Sequence, residues 1–236
     1  MMEPIFGLRL WLIAAVVACS LSFSSCLKDD NHYSVQAAGV ALINASPGSP
    51  ALDFISDNRP NLLEAPFAYD TVFSYNTAYP GYRLFGVTLH NSIHYLASEQ
   101  FYLEPGVAYS LFVTDTAKDI KLVMLKDSLS HHDSSKATIR FANMSADAPA
   151  LGLTISGGET ATVIPNTAYP KATKFQTVDP KTGYTLKLTD TESGSTLATK
   201  TGVNLEEGKI YTIWAKGFYE GTDPKTKLDI GLMVNE

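Results

Sequence analysis

The chain has 236 residues and a formal net charge of -6, with 45% hydrophobic and 18% charged side chains. This composition is too apolar for a disordered chain and is sufficient for one large domain or two small ones. The acidic balance argues against nucleic-acid binding, which requires a basic face. No nucleic-acid partner is therefore expected.

The N-terminal segment predicts a lipoprotein signal peptide over residues 1–25. An apolar run that begins at Leu10 is too short for a membrane span and fits a secretory signal. Two small residues stand directly before Cys26, as in the lipobox of bacterial lipoproteins. We expect Cys26 to carry lipid, palmitate included, and to anchor the protein in the outer membrane. An ordinary secreted protein with an incidental cysteine is the alternative.

Residues 26–36 are polar and predict a flexible tether behind the lipid. Within this tether, Lys28, Asp29 and Asp30 resemble the surface-export signal of Bacteroidota lipoproteins. The resemblance implies exposure on the cell surface. The alternative is a plain solvated tether without an export function.

Two sequence blocks occur twice in the same order, which predicts a tandem duplication. The block VALINASPGSPALDF at 40–54 aligns with IRFANMSADAPALGL at 139–153. The block FYLEPGVAYSLFV at 101–113 aligns with VNLEEGKIYTIWA at 203–215. The chain therefore contains two copies of one unit.

The word NTAYP also occurs in both copies, at 76–80 and at 166–170. Aligning the two words makes Tyr79 equivalent to Tyr169 and requires loops of different length in the two copies. Proline favours extended geometry in the residue before it, so we expect each word to lead into a strand. The tyrosines should then pack against the sandwich edge. The alternative is that Tyr79 and Tyr169 face outward and contact a ligand.

Each copy is predicted to be all-β. Alternating segments such as GYTLKLTD and KIYTIWAKG, with turn clusters between them, indicate about seven short strands per hundred residues. The alternation in the second segment places Trp214 among outward-facing residues, unless the register is misread. The pattern is that of a β-sandwich. We expect two tandem sandwiches, 37–127 and 137–236, joined by a polar linker at 128–136.

A nine-residue motif, Asn-x-Ser-x-x-x-Pro-Ala-Leu, begins at Asn44 and again at Asn143. With the later motif Leu-Glu-x-Gly-x-x-Tyr, present in both copies, it resembles the DUF4397 domain family. The resemblance implies a secreted or surface protein with an immunoglobulin-like sandwich and no assigned activity. The family often has an acid where the first copy has Asp53. The second copy has Gly152 there, so an acid-dependent role would belong to the first copy alone.

Candidate catalytic and metal-binding groups form no recognisable constellation in the sequence. One of the two cysteines is the predicted lipid site, and Cys19 lies in the signal segment, so neither a disulfide nor a cysteine-based site is expected. If Asn91-Ser92 is a two-residue turn, His90 and His94 point to opposite faces of the sheet. The known serine-hydrolase, phosphate-loop and calcium-loop patterns are missing. We expect no enzyme activity, no metal and no cofactor.

Binding is the remaining expectation from the sequence. Tyrosine and phenylalanine are abundant, and exposed aromatic rings stack on sugars and make protein contacts. The sequence therefore predicts a lipid-anchored surface protein that displays two non-catalytic modules to a glycan or protein partner. The alternative is a structural subunit of a cell-envelope assembly.

Overall fold

The computed structural model describes residues 36–61, 63, 65–129 and 132–235. Cys26 and the expected export signal at Lys28, Asp29 and Asp30 lie outside the described residues. Within the described ranges the chain forms strands and turns, and it contains no helix long and apolar enough to cross a membrane.

Each repeat contributes eight strands, where the sequence indicated about seven. The strands of the first repeat are β1 (Ala38–Asn44), β2 (Leu52–Ser56), β3 (Arg59–Asn61), β4 (Val72–Ala78), β5 (Gly81–Leu89), β6 (Tyr95–Leu103), β7 (Ala108–Thr114) and β8 (Lys121–Asp127). The strands of the second repeat are β9 (Ala137–Asn143), β10 (Leu151–Ser156), β11 (Thr162–Thr167), β12 (Gln176–Val178), β13 (Lys181–Asp190), β14 (Thr196–Leu205), β15 (Ile210–Lys216) and β16 (Asp229–Val234).

The strands form four sheets of four strands each. In the first repeat an inner sheet, β4-β1-β7-β8, faces an outer sheet, β3-β2-β5-β6. The second repeat has the same plan, with an inner sheet β12-β9-β15-β16 and an outer sheet β11-β10-β13-β14. The prediction of an all-β chain with two sandwiches is therefore confirmed.

Each sandwich encloses its own apolar core between its two sheets. The first core includes Leu52, Phe54, Phe85, Val87, Leu103, Leu111 and Leu122. The second core includes Phe141, Leu151, Leu153, Leu186, Leu188, Ile213 and Ile230. Burying one such side chain contributes about 1.5–3 kcal/mol, so these alternating residues explain why the strands associate as sandwiches.

The two repeated motifs fix turns at the ends of strands. In the first copy, the N–H of Ser46 donates to the side-chain oxygen of Asn44 over 3.0 Å. The N–H of Glu104 donates to the hydroxyl of Tyr109 over 2.9 Å. The second copy repeats both bonds, Ser145 to Asn143 at 3.1 Å and Glu206 to Tyr211 at 2.9 Å. The motifs recur because each supplies a backbone hydrogen bond that its turn needs.

A third buried cluster joins the two inner sheets. It combines Ala41, Ile43, Ala45 and Phe112 of the first repeat with Ala142, Met144, Trp214 and Met233 of the second. Phe112 and Trp214 hold the same position in the duplicated block, and their rings meet edge to face with centroids 5.8 Å apart. The two repeats therefore pack through equivalent faces, and Gln36–Glu236 forms one compact unit.

This contact buries both faces of the two central strands of the second inner sheet. Every residue of β9 and β15 is buried, and Trp214 is only 1% exposed. The alternation had placed Trp214 beside the outward-facing Thr212 and Lys216, but these two residues are also buried. The sequence left the exposure of Trp214 open, and the structure shows that it is buried because the polar face of β15 packs against the other sandwich instead of water.

A buried ion pair lies within the junction of the two inner sheets. The guanidinium of Arg140 contacts the carboxylate of Asp127, and both side chains are almost fully buried. Arg140 also donates from Nε to Thr212 over 2.9 Å and from Nη2 to Ser110 over 3.0 Å. The pair therefore connects β9 and β15 of the second repeat to β7 and β8 of the first.

Tyr75 extends this network to the end of the chain. Its hydroxyl donates to Asp127 and accepts from the amide of Asn235 over 2.6 Å. Burial raises the pKa of Tyr75, and the negative charge of Asp127 raises it further. The hydroxyl therefore stays protonated at neutral pH and remains a donor to the carboxylate.

Removing Arg140 should destabilise the whole unit. Arg140→Met leaves Asp127 buried without its cation, which typically costs about 3–5 kcal/mol. The loss is measured as the change in unfolding free energy in urea. Lys126→Met is the matched control, because its pair with Glu104 is exposed and should contribute no more than about 1 kcal/mol. Equal losses in the two variants would contradict the role of the buried pair.

Candidate functional site

The two NTAYP words are not structurally equivalent. In the first copy, the amide of Asn44 donates to the carbonyl of Phe67 over 3.0 Å. In the second copy, the amide of Asn143 donates to the carbonyl of Thr167, also over 3.0 Å. Phe67 therefore corresponds to Thr167, which shifts the alignment of this segment. The predicted equivalence of the two words was wrong.

Under the corrected alignment, Tyr169 corresponds to Tyr69 and not to Tyr79. Both Tyr69 and Tyr169 are half-buried, and each has a lysine of the other repeat over its ring. Lys216 Nζ lies 5.8 Å from the ring centre of Tyr69, and Lys121 Nζ lies 6.0 Å from that of Tyr169. At these distances a cation is attracted to the ring. The structure thus places Tyr169 in the junction between the repeats.

Tyr79, by contrast, projects into solvent with 83% of its surface exposed. It lies in the connection between β4 and β5, so the prediction that it packs against the sandwich edge was wrong. Tyr79 is on the rim of a cleft of about 630 Å³ at the side of the first sandwich. The floor of this edge cleft is apolar and its rim is polar. The lining includes Val40, Leu42, Phe54 and Phe85 on the floor and Asp57, Arg59, Asn76, Tyr79 and Arg83 on the rim.

A tight turn between β2 and β3 connects this cleft to the outer face of the sheet. Asp57 and Asn58 both have positive φ angles, 48° and 62°, as a type I′ hairpin turn requires. The Asp57 carboxylate accepts from Arg83 over 2.8 Å and from the N–H of Leu84 over 3.0 Å. The side chain of Asn58 accepts from the hydroxyl of Tyr95 over 3.1 Å. The turn therefore holds Arg83 in place at the cleft and Tyr95 in place on the outer face.

Three tyrosines lie on the solvent side of the first outer sheet, and we call this surface the tyrosine face. Tyr82, Tyr95 and Tyr102 are 67%, 40% and 56% exposed. Tyr82 and Tyr102 are cross-strand partners with ring centroids 5.1 Å apart. The ring of Tyr95 covers Gly86, where an added Cβ would lie 2.4 Å from a ring carbon. Glycine at this position lets the ring lie flat on the sheet.

The corresponding face of the second sandwich has no such tyrosines. Tyr102 precedes the strand-end leucine that both copies share, and Asn204 occupies that position in the second copy. Tyr95 pairs with a threonine of β5. In the second sandwich, the residue that pairs with the matching threonine of β13 is Thr196 instead of a tyrosine. Lys187 takes the central position of β13 that Gly86 holds on β5. The fold therefore forms without these tyrosines, and stability alone does not account for them.

Asp53, the acidic residue that Gly152 replaces in the second copy, stabilises a loop. Its carboxylate contacts His90 Nδ1 at 2.8 Å and accepts from the N–H of Asn91 at 2.9 Å. The hydrogen bond with His90 lowers the pKa of Asp53. The connection between β5 and β6 spans residues 90–94, so the predicted two-residue turn was wrong. The described ranges contain no group of three or more His, Cys, Asp or Glu side chains placed to hold a metal ion.

Residues 38–154 match the model of the DUF4397 family, described as a domain of unknown function. The match covers the first repeat, β9 and part of β10, so the resemblance is confirmed over these residues and not over two complete copies. No curated protein matches the sequence. A solved structure of a streptococcal family 41 carbohydrate-binding module, described as recognising alpha-glucan, has 10% identity and a TM-score of 0.26. It covers 82% of this chain and 96% of its own, but a score this low supports no inference.

The turn at Asp57 should weaken in acid. The hydrogen bond from Arg83 lowers the pKa of Asp57 most, and the N–H of Leu84 lowers it further. Because the folded pKa lies below the unfolded value of about 3.9, the carboxylate stabilises the fold fully above about pH 4. This contribution is lost as the pH falls through the folded pKa. Urea unfolding of the wild type and Asp57→Asn should therefore differ at pH 7 and converge toward pH 2.

Glu159→Gln provides the control for this measurement, because Glu159 is exposed and lies on the other sandwich. Its unfolding midpoint should follow the wild type throughout the pH range. A difference between the wild type and Asp57→Asn that stays constant from pH 7 to pH 2 would show that the ionised carboxylate does not stabilise the turn.

Proposed function

We propose that this protein is a non-catalytic glycan-binding protein, held at the cell surface by a lipid on Cys26, and that the tyrosine face is its binding surface. The observation that carries the proposal is the set of three exposed tyrosines on one sheet face that the duplicated sandwich lacks. Aromatic rings present apolar area with few rotatable bonds, and their hydroxyl groups add hydrogen bonds at the rim.

The spacing of the rings favours an extended glycan. Tyr82 and Gly86, which lies under Tyr95, are four residues apart on β5. At about 3.3 Å per residue, this places the Tyr82–Tyr102 pair roughly 13 Å from Tyr95. One pyranose ring cannot contact both ends of this surface. An oligosaccharide that lies along β5 would contact both, and we therefore propose that the ligand is an oligosaccharide.

The edge cleft supplies polar contacts next to the tyrosine face. Asp57 holds the guanidinium of Arg83 at its rim, and the same turn holds Tyr95 on the outer face. Tyr79 is exposed at this rim and would make a further contact with a ligand that extends beyond the sheet edge. Tyr169 has no part in this surface, because it is half-buried in the junction.

The lipid anchor and the surface location are proposed from the sequence. The apolar run, the small residues and Cys26 form the signal, and Lys28, Asp29 and Asp30 resemble an export signal. Acyl chains hold a protein on a membrane through about 0.8 kcal/mol per buried CH2. The binding role needs no catalytic group, and the matching family is not one with a described reaction.

Loss of the tyrosine pair should weaken glycan binding. Each ring contributes about 0.5–1.5 kcal/mol, so Tyr82→Ala and Tyr102→Ala should each weaken binding about 2- to 12-fold. The measurement is a glycan array with the soluble chain from residue 31 onward, followed by calorimetry with the best oligosaccharide. Val163→Ala is the control, because it removes an exposed apolar side chain from the other sandwich.

Unchanged affinity in the Tyr82→Ala/Tyr102→Ala double variant would contradict the assignment of the tyrosine face. If no glycan binds and the protein co-purifies with envelope proteins instead, the structural-subunit alternative would replace the glycan proposal.

Removing the lipid site should release the protein from membranes. In Cys26→Ala the acceptor thiol is missing, so the protein should move from the membrane fraction to the soluble fraction after cell lysis. Cys19→Ala is the matched control and should remain membrane-bound, because Cys19 lies in the segment that the signal peptidase removes. Membrane retention of Cys26→Ala would show that the anchor is not the lipid at this residue.

A further inference from the structure

A second cleft, of about 1010 Å³, opens where the two sandwiches meet. Its walls come from both repeats: the start of β7 and the end of β8 on one side, and β9, β12 and the segment before β12 on the other. We call it the junction cleft and define it by Lys126, Asp127, Thr138, Arg140, Lys174 and Phe175. Ligand sites occur preferentially at such boundaries between packed units.

The junction cleft is basic although the chain as a whole is acidic. Its lining contains Lys126, Lys174, Arg140 and His132, and one acidic side chain, Asp127. Asp127 is already neutralised by Arg140, and Lys126 is held by Glu104 at 2.8 Å. Lys174 is exposed and forms no ion pair among the residues the structure describes. The unpaired Lys174 leaves the cleft with a net positive charge, which attracts anions, so the ligand here would be an anion.

Thr138 marks the floor of the cleft. It is 2% exposed, and its hydroxyl has no hydrogen-bond partner within the described part of the protein. Alternate residues of a strand share a face, so Thr138 and Arg140 project from the same side of β9. Buried hydroxyl groups nearly always have a partner. An unpaired hydroxyl beside a buried guanidinium is therefore what an oxygen-rich ligand would satisfy.

Phe175 adds an aromatic wall to the same cleft. The guanidinium carbon of Arg140 lies 4.8 Å from the ring centre, and the ring is half-buried. Gln176 and Thr177 follow it along the lining and offer neutral polar groups. An aromatic ring beside cations, amides and hydroxyls is complementary to a ligand that has an apolar ring face, several hydroxyl groups and a negative charge.

We propose that the junction cleft is a binding site for an acidic sugar, a pyranose that carries a carboxylate. The pyranose packs against Phe175, its carboxylate is held by Lys174, and a sugar oxygen pairs with the hydroxyl of Thr138. This site is separate from the tyrosine face and has a different ligand chemistry. One ligand of this class that the junction cleft would bind is a negatively charged sugar residue of a surface polysaccharide.

The test is calorimetry with the Cys26→Ala chain, which retains every described residue. The acidic probes are D-glucuronate, D-galacturonate and N-acetylneuraminate, with D-glucose and D-galactose as neutral controls and inorganic sulfate as the simple anion. At least one acidic sugar should bind at least tenfold more tightly than the neutral sugars and sulfate. Because the contact is electrostatic, the affinity should fall as the salt concentration rises.

Four variants locate the binding. Lys174→Gln should weaken binding of the acidic sugar at least fivefold, whereas Lys225→Gln makes the same charge change at an exposed site outside the cleft and should not. Phe175→Leu keeps an apolar side chain but removes the aromatic face, and it should also weaken binding. Thermal unfolding of each variant establishes that it is folded. The Tyr82→Ala/Tyr102→Ala variant should bind the acidic sugar normally, which separates this proposal from the proposed function.

Three results would overturn the proposal: no binding of any acidic sugar, equal loss in Lys174→Gln and Lys225→Gln, or sulfate binding as tight as sugar binding with no effect of Phe175→Leu. The last result would show a simple anion site instead of a sugar site.

Discussion

The buried pair of Arg140 and Asp127 is the interaction on which the arrangement of the two sandwiches depends. The apolar cluster around Phe112 and Trp214 favours association of the inner sheets, but apolar contact is non-directional and allows many relative orientations. A buried charge is tolerated only when it is paired and hydrogen-bonded. In the observed arrangement, Arg140 reaches Asp127, Ser110 and Thr212 at once. Other orientations would leave a charge buried without its partner.

This packing gives the inner and outer sheets different roles. The central strands of the inner sheets, β1, β7, β9 and β15, are covered on both faces, so their side chains serve stability and docking. The outer sheets keep a solvent-exposed face, and the duplicated sandwiches differ there: the first has the tyrosine face, and the second has Lys187 and Thr196 at matching positions. Duplication allowed one copy to acquire the tyrosine face, the proposed ligand surface, while both copies kept the turns and cores. It also created the junction cleft, which neither repeat forms alone.

Local patterns in the sequence predicted much of the fold. The alternation in the strands and the two repeated motifs were informative because each acts within a few residues: Asn44 and Tyr109 form hydrogen bonds to backbone groups two and five positions away. The tyrosine face could be predicted from the sequence only in part. Tyrosines recur on β5 and β6, but the pairing of the strands was needed to place Tyr82 beside Tyr102. The repeated word NTAYP led to a wrong alignment of the two copies, because a five-residue match does not show which sheet the segment joins. The hydrogen bonds of Asn44 and Asn143 show the true correspondence.

The sequence by itself determined that the chain is a duplicated all-β protein with a family motif in each copy, and it indicated a lipid site at Cys26. These conclusions rest on composition, on a period of two and on motifs, all of which are local. Only the tertiary structure decided that Trp214 and Arg140 are buried, that Tyr169 lies in the junction and that Tyr79 faces solvent. A strand that is polar on one face has the same alternating sequence whether that face contacts water or another sheet. The difference arises from contacts between residues about one hundred positions apart, which no local pattern specifies.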